Sequence, residues 1–164
     1  MKTYNIVTLS NFQFVAPSKR ILSLRDPTVK MSKSAIDPNS RILLTDSHDT
    51  IAKRVRSAVT DCMSGITFDP AERPGTSNLL TILSACTGEA PAVLAERYAE
   101  SNHGVLKKDV VEAVEEALRK PRAEFARLRE EKEFLAQVAR KGAEKAREHS
   151  EQTMREVRKR VGLR

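Results

Sequence analysis

From residue 46 onward, apolar positions recur at three-to-four spacing and the residues between them are charged or small, which is the pattern of helices that each bury one face. Ile51, Val55, Ala58, Val59 and Cys62 form the first such set. Asp46 is its predicted N-cap, with Asp49 at the third helical position. Lys53, Arg54 and Arg56 cover much of the remaining circumference. Gly65, Asp69-Pro70 and Arg73-Pro74-Gly75 punctuate the next connection. Ser77 is then placed to cap a helix carrying Leu79, Leu80, Ile82, Leu83 and Cys86, which Gly88 ends. Pro91 suits the first turn of a third helix through Val93, Leu94 and Tyr98, closed by Asn102 and Gly104. Leu106, Val110, Val114 and Leu118 share the next face, supported by Glu115 to Arg119 and Glu116 to Lys120 at i,i+4. Pro121 kinks or restarts this helix, and Phe125, Leu128, Leu135 and Val138 continue its apolar side. The last helix shows Ala143, Ala146, Ser150, Met154, Val157 and Val161, with Glu151–Arg155 and Glu156–Arg160 pairs outside and Gly162 as its stop. No internal repeat is present, so a solenoid is not expected, and the run of amphipathic helices predicts a mainly α fold, an antiparallel helical bundle.

The segment before residue 46 reads differently. Ile6, Val7, Leu9, Phe12, Phe14 and Val15 alternate weakly, as a strand or an unstructured leader would. The first nineteen residues hold no acidic residue but lack the Arg-rich amphipathic pattern of a transit peptide. Ile21-Leu22-Ser23-Leu24 is a short apolar run that stops at Arg25-Asp26-Pro27, as a strand entering a turn does. Residues 28–40 contain two lysines, three serines, one proline and one asparagine, with little to bury except Met31 and Ile36, and read as a loop.

Composition narrows the picture. The chain has 164 residues, of which 40% are hydrophobic but only 4% aromatic, with no tryptophan, so its core must be aliphatic. A formal net charge of +7 favours a polyanionic partner. Solvated helix faces laced with Glu–Lys and Glu–Arg pairs explain that charge equally well. Cys62 and Cys86 lack the spacing of a zinc site and read as buried, reduced thiols. His48, His103 and His149 each stand alone and read as surface or capping residues. No run of about eighteen apolar residues exists, so no helix long enough to cross a membrane is expected, and no membrane partner.

One segment is not explained by composition. Lys30-Met31-Ser32-Lys33-Ser34 interleaves two flexible cations with small hydroxyls after a strand and turn, which suits the phosphates of a nucleotide. An isolated basic pentapeptide is usually a surface loop or a phosphorylation site. A specified pentapeptide, however, arises by chance in such a chain on the order of once in ten thousand sequences, and its flanks also fit.

With Ile21-Leu22-Ser23-Leu24-Arg25-Asp26-Pro27-Thr28 before it, the loop resembles the KMSKS signature of class I tryptophanyl-tRNA synthetases of the organellar and bacterial type. The resemblance extends through Arg41-Ile42 to Thr45-Asp46, Arg56 to Asp61, Asp69-Pro70, Pro74-Gly75 with Ser77-Asn78-Leu79, and Gly142 to Arg147, covering roughly residues 20–164. It implies an ATP-dependent tryptophan–tRNA ligase that uses ATP and Mg²⁺ as a substrate complex, holds no protein-bound metal, and esterifies tRNA(Trp) during translation. It also implies a division into a divergent leader (1–19), the end of a Rossmann domain with the KMSKS loop (20–45), and an α-helical domain for the anticodon arm (46–164).

By the same resemblance, Lys33 stabilises the departing pyrophosphate and Lys30 helps hold the phosphates. Met31 lies between them in the ATP-binding set, Ser32 and Ser34 shape the loop, and Ile21 touches the adenosine. Lys53, Arg54, Arg56, Arg155 and Arg158 are the candidates for tRNA phosphates. Val29 and Ala35-Ile36 depart from the family pattern beside the loop.

The family's HIGH-like or TIGN-like tetrapeptide and its tryptophan pocket have no counterpart in this sequence, so the chain is expected to be a C-terminal portion, inactive alone. The family's homodimer is built largely from the part expected to be missing. The mitochondrial matrix is the expected compartment, with the cytoplasm as the alternative. Two other readings stay open: a non-enzymatic helical module that binds tRNA or protein, and a folded remnant without activity.

Overall fold

The computed structural model describes residues 20–163. The expected leader lies outside them. A 3₁₀ turn at Pro38–Ser40 precedes five helices: α1 (His48–Arg56), α2 (Pro74–Thr87), α3 (Pro91–Arg97), α4 (His103–Glu130) and α5 (Lys132–Arg160).

The helix boundaries follow capping chemistry, with three departures from the sequence pattern. Ser47, and not Asp46, caps α1, its hydroxyl accepting the Thr50 N–H at 3.3 Å. The Asp46 carboxylate is occupied by the Leu43 N–H at 2.6 Å and by the Arg54 guanidinium, so the adjacent hydroxyl takes the cap. Pro74 opens α2, as its fixed φ allows, and Ser77 lies inside that helix, accepting the Asp69 N–H at 2.9 Å. Gly88 ends α2 in the left-handed conformation expected, at φ 79°. Asn102 does not close α3 but opens α4, its side chain accepting the Val105 N–H at 3.0 Å.

The chain divides into two units between residues 120 and 121. In the first, Leu24, Ile51, Val55, Ile66, Leu79, Leu80, Leu94, Leu106 and Val110 are almost fully buried. The core is therefore aliphatic, and each such side chain contributes about 1.5–3 kcal/mol relative to exposure. α2 lies among these residues and buries ten consecutive positions from Gly75 to Ser84, polar ones included. At Gly75 a Cβ would stand 2.2 Å from the Val59 carbonyl oxygen, so only glycine permits this approach of helix to chain.

The second unit is different in kind. α4 continues through Pro121 rather than restarting there, although that residue has no N–H to give the preceding turn. None of the residues of α5 is buried, and Phe134, Leu135, Val138, Met154 and Val157 are 40–51% exposed. Over the described part of the bundle expected at 46–164, the regular elements are all helices, but only those of the first unit pack around a core. Local pairs such as Arg127 with Glu124 and Glu131, and Arg155 with Glu151, support the second.

Two further expectations are corrected. Among the described residues there is no strand: residues 21–24 contribute one isolated antiparallel bridge, Leu22 to Lys30. A strand needs a neighbour along its length, and the turn at residues 25–28 limits this one to a single bridge. Cys62 is exposed rather than buried, in the connection after α1, whereas Cys86 is partly buried and its thiol pKa is raised by that burial.

Candidate functional site

The 21–41 segment folds as a tight excursion, fastened to α2 at Leu22, to the end of α1 through Arg25, and to α1 at the Arg41 carbonyl, which accepts from Arg54 at 3.0 Å. At its start, the Ser23 N–H donates to the Val29 carbonyl at 2.9 Å and the Met31 N–H to the Ile21 carbonyl at 3.0 Å. The turn between them is built on Asp26, which accepts the Thr28 N–H and hydroxyl at 3.0 and 2.6 Å, bonds that lower its pKa. Asn78 of α2 reaches the Leu22 backbone, donating to its carbonyl at 3.0 Å and accepting its N–H at 2.8 Å.

At the other end, Arg41 donates to the carbonyls of Ala35 and Asp37 at 2.8 and 3.3 Å. Arg25 donates to the Ser57 carbonyl at 2.7 Å and approaches Asp37 at 3.5 Å.

Between these fastenings, Lys30, Ser32, Lys33 and Ser34 are exposed. The Ser32 and Ser34 hydroxyls lie 3.1 Å apart, and the Ala35 N–H closes a turn on the Ser32 carbonyl at 3.3 Å. Among the described residues neither lysine has a carboxylate within ion-pair distance, so both ammonium groups are available to an anion. Ile21 and Met31 are partly buried against the core. With Ile42, Ile82, Val114 and Leu118 they line an apolar cavity of about 230 Å³ beneath the loop. The structure therefore brings Ile21, Lys30, Met31, Ser32, Lys33 and Ser34 together.

The basic residues singled out on the helices differ in what already holds them. Lys53 and Arg56 are exposed on α1. Arg54 is not free: its side chain is 11% exposed and is held by Asp46 and by the Arg41 carbonyl. Arg155 and Arg158 lie near Glu151 at 3.7 and 3.3 Å. With Lys159, Gly162 and Leu163 they also line an open concavity of about 620 Å³ at the end of α5. Among the described residues, no group of His, Cys, Asp and Glu side chains is arranged to hold a metal ion.

A second polar cluster is not visible in the sequence. Arg73, 3% exposed, donates through Nε and Nη2 to both carboxylate oxygens of Asp61, at 3.0 and 2.7 Å. It also reaches Thr67 and the Gly65 carbonyl at 2.9 and 3.0 Å. The Thr76 hydroxyl lies 2.6 Å from Asp61 and 3.0 Å from Nε2 of His103. An ionised carboxylate only accepts, so the single Thr76 proton goes to Asp61, and His103 donates its Nε2–H to Thr76.

These bonds, Arg73 first among them, hold the Asp61 pKa well below the usual carboxylate range. Burial lowers the His103 pKa and outweighs Asp61 at 3.8 Å, with Arg73 and Lys107 acting in the same direction as burial. His103 is thus a partly buried member of a network, not the surface or capping residue expected. The cluster ties the connection after α1 to the first turns of α2 and α4. Every polar side chain in it is occupied by another, which makes it architecture.

Residues 6–120 match the family of class I tRNA synthetases (W and Y). The tryptophan–tRNA ligase of Caldanaerobacter subterraneus is 40% identical over 144 residues, which cover 88% of this chain and 43% of that protein. Tryptophan–tRNA ligase 1 of Streptomyces coelicolor is 40% identical over 148 residues, covering 90% and 44%. The chain thus spans less than half the length of these curated relatives. Among solved structures, tryptophanyl-tRNA synthetase from Mycoplasma pneumoniae superposes with a TM-score of 0.57 at 32% identity, covering 64% of this chain and 35% of that one. The Campylobacter jejuni tryptophanyl-tRNA synthetase complexed with ADP and tryptophan has a TM-score of 0.65 at 24% identity, covering 88% and 44%, a likeness of fold.

Proposed function

The chain belongs to the class I tRNA synthetases of the tryptophan and tyrosine group, and from that premise we propose that it supplies the phosphate-handling loop and the helical region of a tryptophan–tRNA ligase. The observation that carries this reading is the Lys30–Ser34 loop, fastened at both ends with its two lysines unpaired among the described residues. In the reaction proposed, the tryptophan carboxylate attacks the α-phosphorus of Mg·ATP, pyrophosphate departs, and the aminoacyl group passes to the terminal adenosine of tRNA(Trp). Negative charge grows on the bridging oxygen as the bond to pyrophosphate lengthens. A lysine closing on that charge favours the transition state over the ground state. Lys33 takes that role and Lys30 holds the phosphates, while Ile21 and Met31 offer apolar surface to the adenosine.

Residues 20–45 are on this reading the end of the nucleotide-binding domain, and the helices from residue 46 bear the tRNA. Lys53, Arg56, Arg155 and Arg158 are the proposed phosphate contacts. Arg54 is left out because Asp46 and the Arg41 carbonyl already occupy it.

The test is tryptophan-dependent ATP–pyrophosphate exchange by this chain and by the same chain completed with the portion of a relative that it does not cover. Exchange in the completed protein, lost about 10²–10³-fold in Lys33→Ala, is the expected result. No exchange in the completed protein would sink the synthetase reading. A salt-dependent affinity for tRNA without ATP binding would replace it with a non-enzymatic tRNA-binding module.

A further inference from the structure

Asn78 sits in the interior of α2 with 5% of its surface exposed, in a helix whose other buried residues are Gly, Leu, Ile, Thr and Ser. Asparagine is a weak helix former because its amide competes for backbone hydrogen bonds, and a buried amide must find partners. Here its amide oxygen and its amide nitrogen both bond to one residue, Leu22, which is 56 positions away. Only one orientation of the amide serves both contacts, with Oδ1 facing the Leu22 N–H and Nδ2 facing its carbonyl.

The bridge geometry explains why Leu22 is free to receive it. The bonds of this bridge run from Ser23 to Val29 and from Met31 to Ile21, so they flank the Leu22–Lys30 pair. In an antiparallel pair of that kind, the N–H and C=O of the facing residues point outward, toward where a next strand would lie. The Asn78 amide, a copy of a peptide group, occupies that place. The connection therefore runs from α2 through Asn78 to Leu22, and from the residues flanking Leu22 to those flanking Lys30.

We infer that Asn78 is a positioning residue of the Lys30–Ser34 loop: its clamp on Leu22 sets the register and height at which Lys30 and Lys33 meet a polyphosphate. This rests on the phosphate-handling reading proposed above. Arg41 holds Ala35 on the far side of the loop, and its own carbonyl accepts from Arg54 of α1, so the lysines lie between two fastened points.

The experiment uses the full 164-residue chain, inorganic tripolyphosphate as the probe, and amide hydrogen exchange read at Met31, Leu80 and Val110. Asn78→Ala is expected to speed exchange at Met31 about tenfold relative to Leu80 and Val110, as loss of two net-stabilising hydrogen bonds implies. It is also expected to weaken tripolyphosphate binding about tenfold. Lys33→Ala should weaken binding and leave the Met31 amide unchanged. Asn78→Ser, which is too short to hold both Leu22 groups but buries no charge against the Leu22 carbonyl, should act in the same direction, and it carries the test if Asn78→Ala does not fold.

Equal acceleration at all three amides would make Asn78 a general stabiliser and overturn the inference. Selective acceleration at Met31 with tripolyphosphate affinity unchanged would overturn it as well. Failure of the unsubstituted chain to bind tripolyphosphate would instead defeat the phosphate-handling reading, and this inference with it.

Discussion

The loop at residues 30–34 and the cluster around Arg73 both hold cations, and they differ in what those cations have left to bind. Arg73 spends its guanidinium on Asp61, Thr67 and backbone carbonyls, inside the fold and beside the start of α2. Lys30 and Lys33 spend nothing on the described residues, and only the backbone around them is fastened. A paired buried cation is costly to disturb and has no capacity for a ligand. An exposed, unpaired one is cheap to remove and retains all of it. Net charge is blind to this difference, because +7 counts both alike.

The sharpest way to break the contrast is to remove one cation from each side. Arg73→Ala leaves the Asp61 carboxylate without its bidentate partner and is expected to cost about 3–5 kcal/mol, read as a fall in the urea midpoint. If the midpoint barely moves, the cluster is not what fastens α2. Lys33→Ala is expected to leave that midpoint within about 0.5 kcal/mol of the parent, since it is a surface substitution. The same change is expected to remove the exchange proposed for the completed protein, so a large loss of stability there would erase the distinction between the two regions.

Acid sharpens the comparison further. The pKa of His103 is lowered in the fold, so its contribution is fully present above the ordinary histidine value of about 6.5 and is lost as pH falls through the lowered value. Asp61 acts in the same sense but far lower. Its contribution is present above the ordinary carboxylate value of about 3.9 and disappears only in strong acid. Urea midpoints measured from pH 8 to pH 5 should therefore decline in the parent and decline less in His103→Gln. A parent midpoint that rises toward pH 5 would mean that His103 is protonated in the fold.

The smallest effect is expected in the second unit. Leu135→Ser, at a position 42% exposed on α5, should shift the midpoint by no more than about 0.5 kcal/mol, as most surface substitutions do. A loss comparable to that of a core leucine would show that α5 is packed in solution.

The periodic spacing of Ile51, Val55, Leu80, Leu83, Leu106 and Val110 was enough by itself to call α1, α2 and α4, because these side chains share the face that must leave water. The Gly88 stop and Pro91 start were equally legible, since they depend on φ alone. So was the exposed loop at Lys30–Ser34, whose lysines and serines are consecutive in the chain. Caps moved by one position where a neighbour competed: Asp46 is drawn away by Arg54, and Ser47 replaces it.

Tertiary structure alone decided what the polar residues do. Asn78 meets Leu22 across 56 positions, His103 meets Thr76 across 27, and Arg73 meets Asp61 across 12. No periodicity links such partners, because the contact exists only once the helices have packed and brought each buried donor to its acceptors. The same packing separated Arg54, already committed, from Lys53 and Arg56 on the same short helix. It also left α5 with an apolar stripe and no core: periodicity specifies which face of a helix is apolar, but burial requires a second surface to meet it.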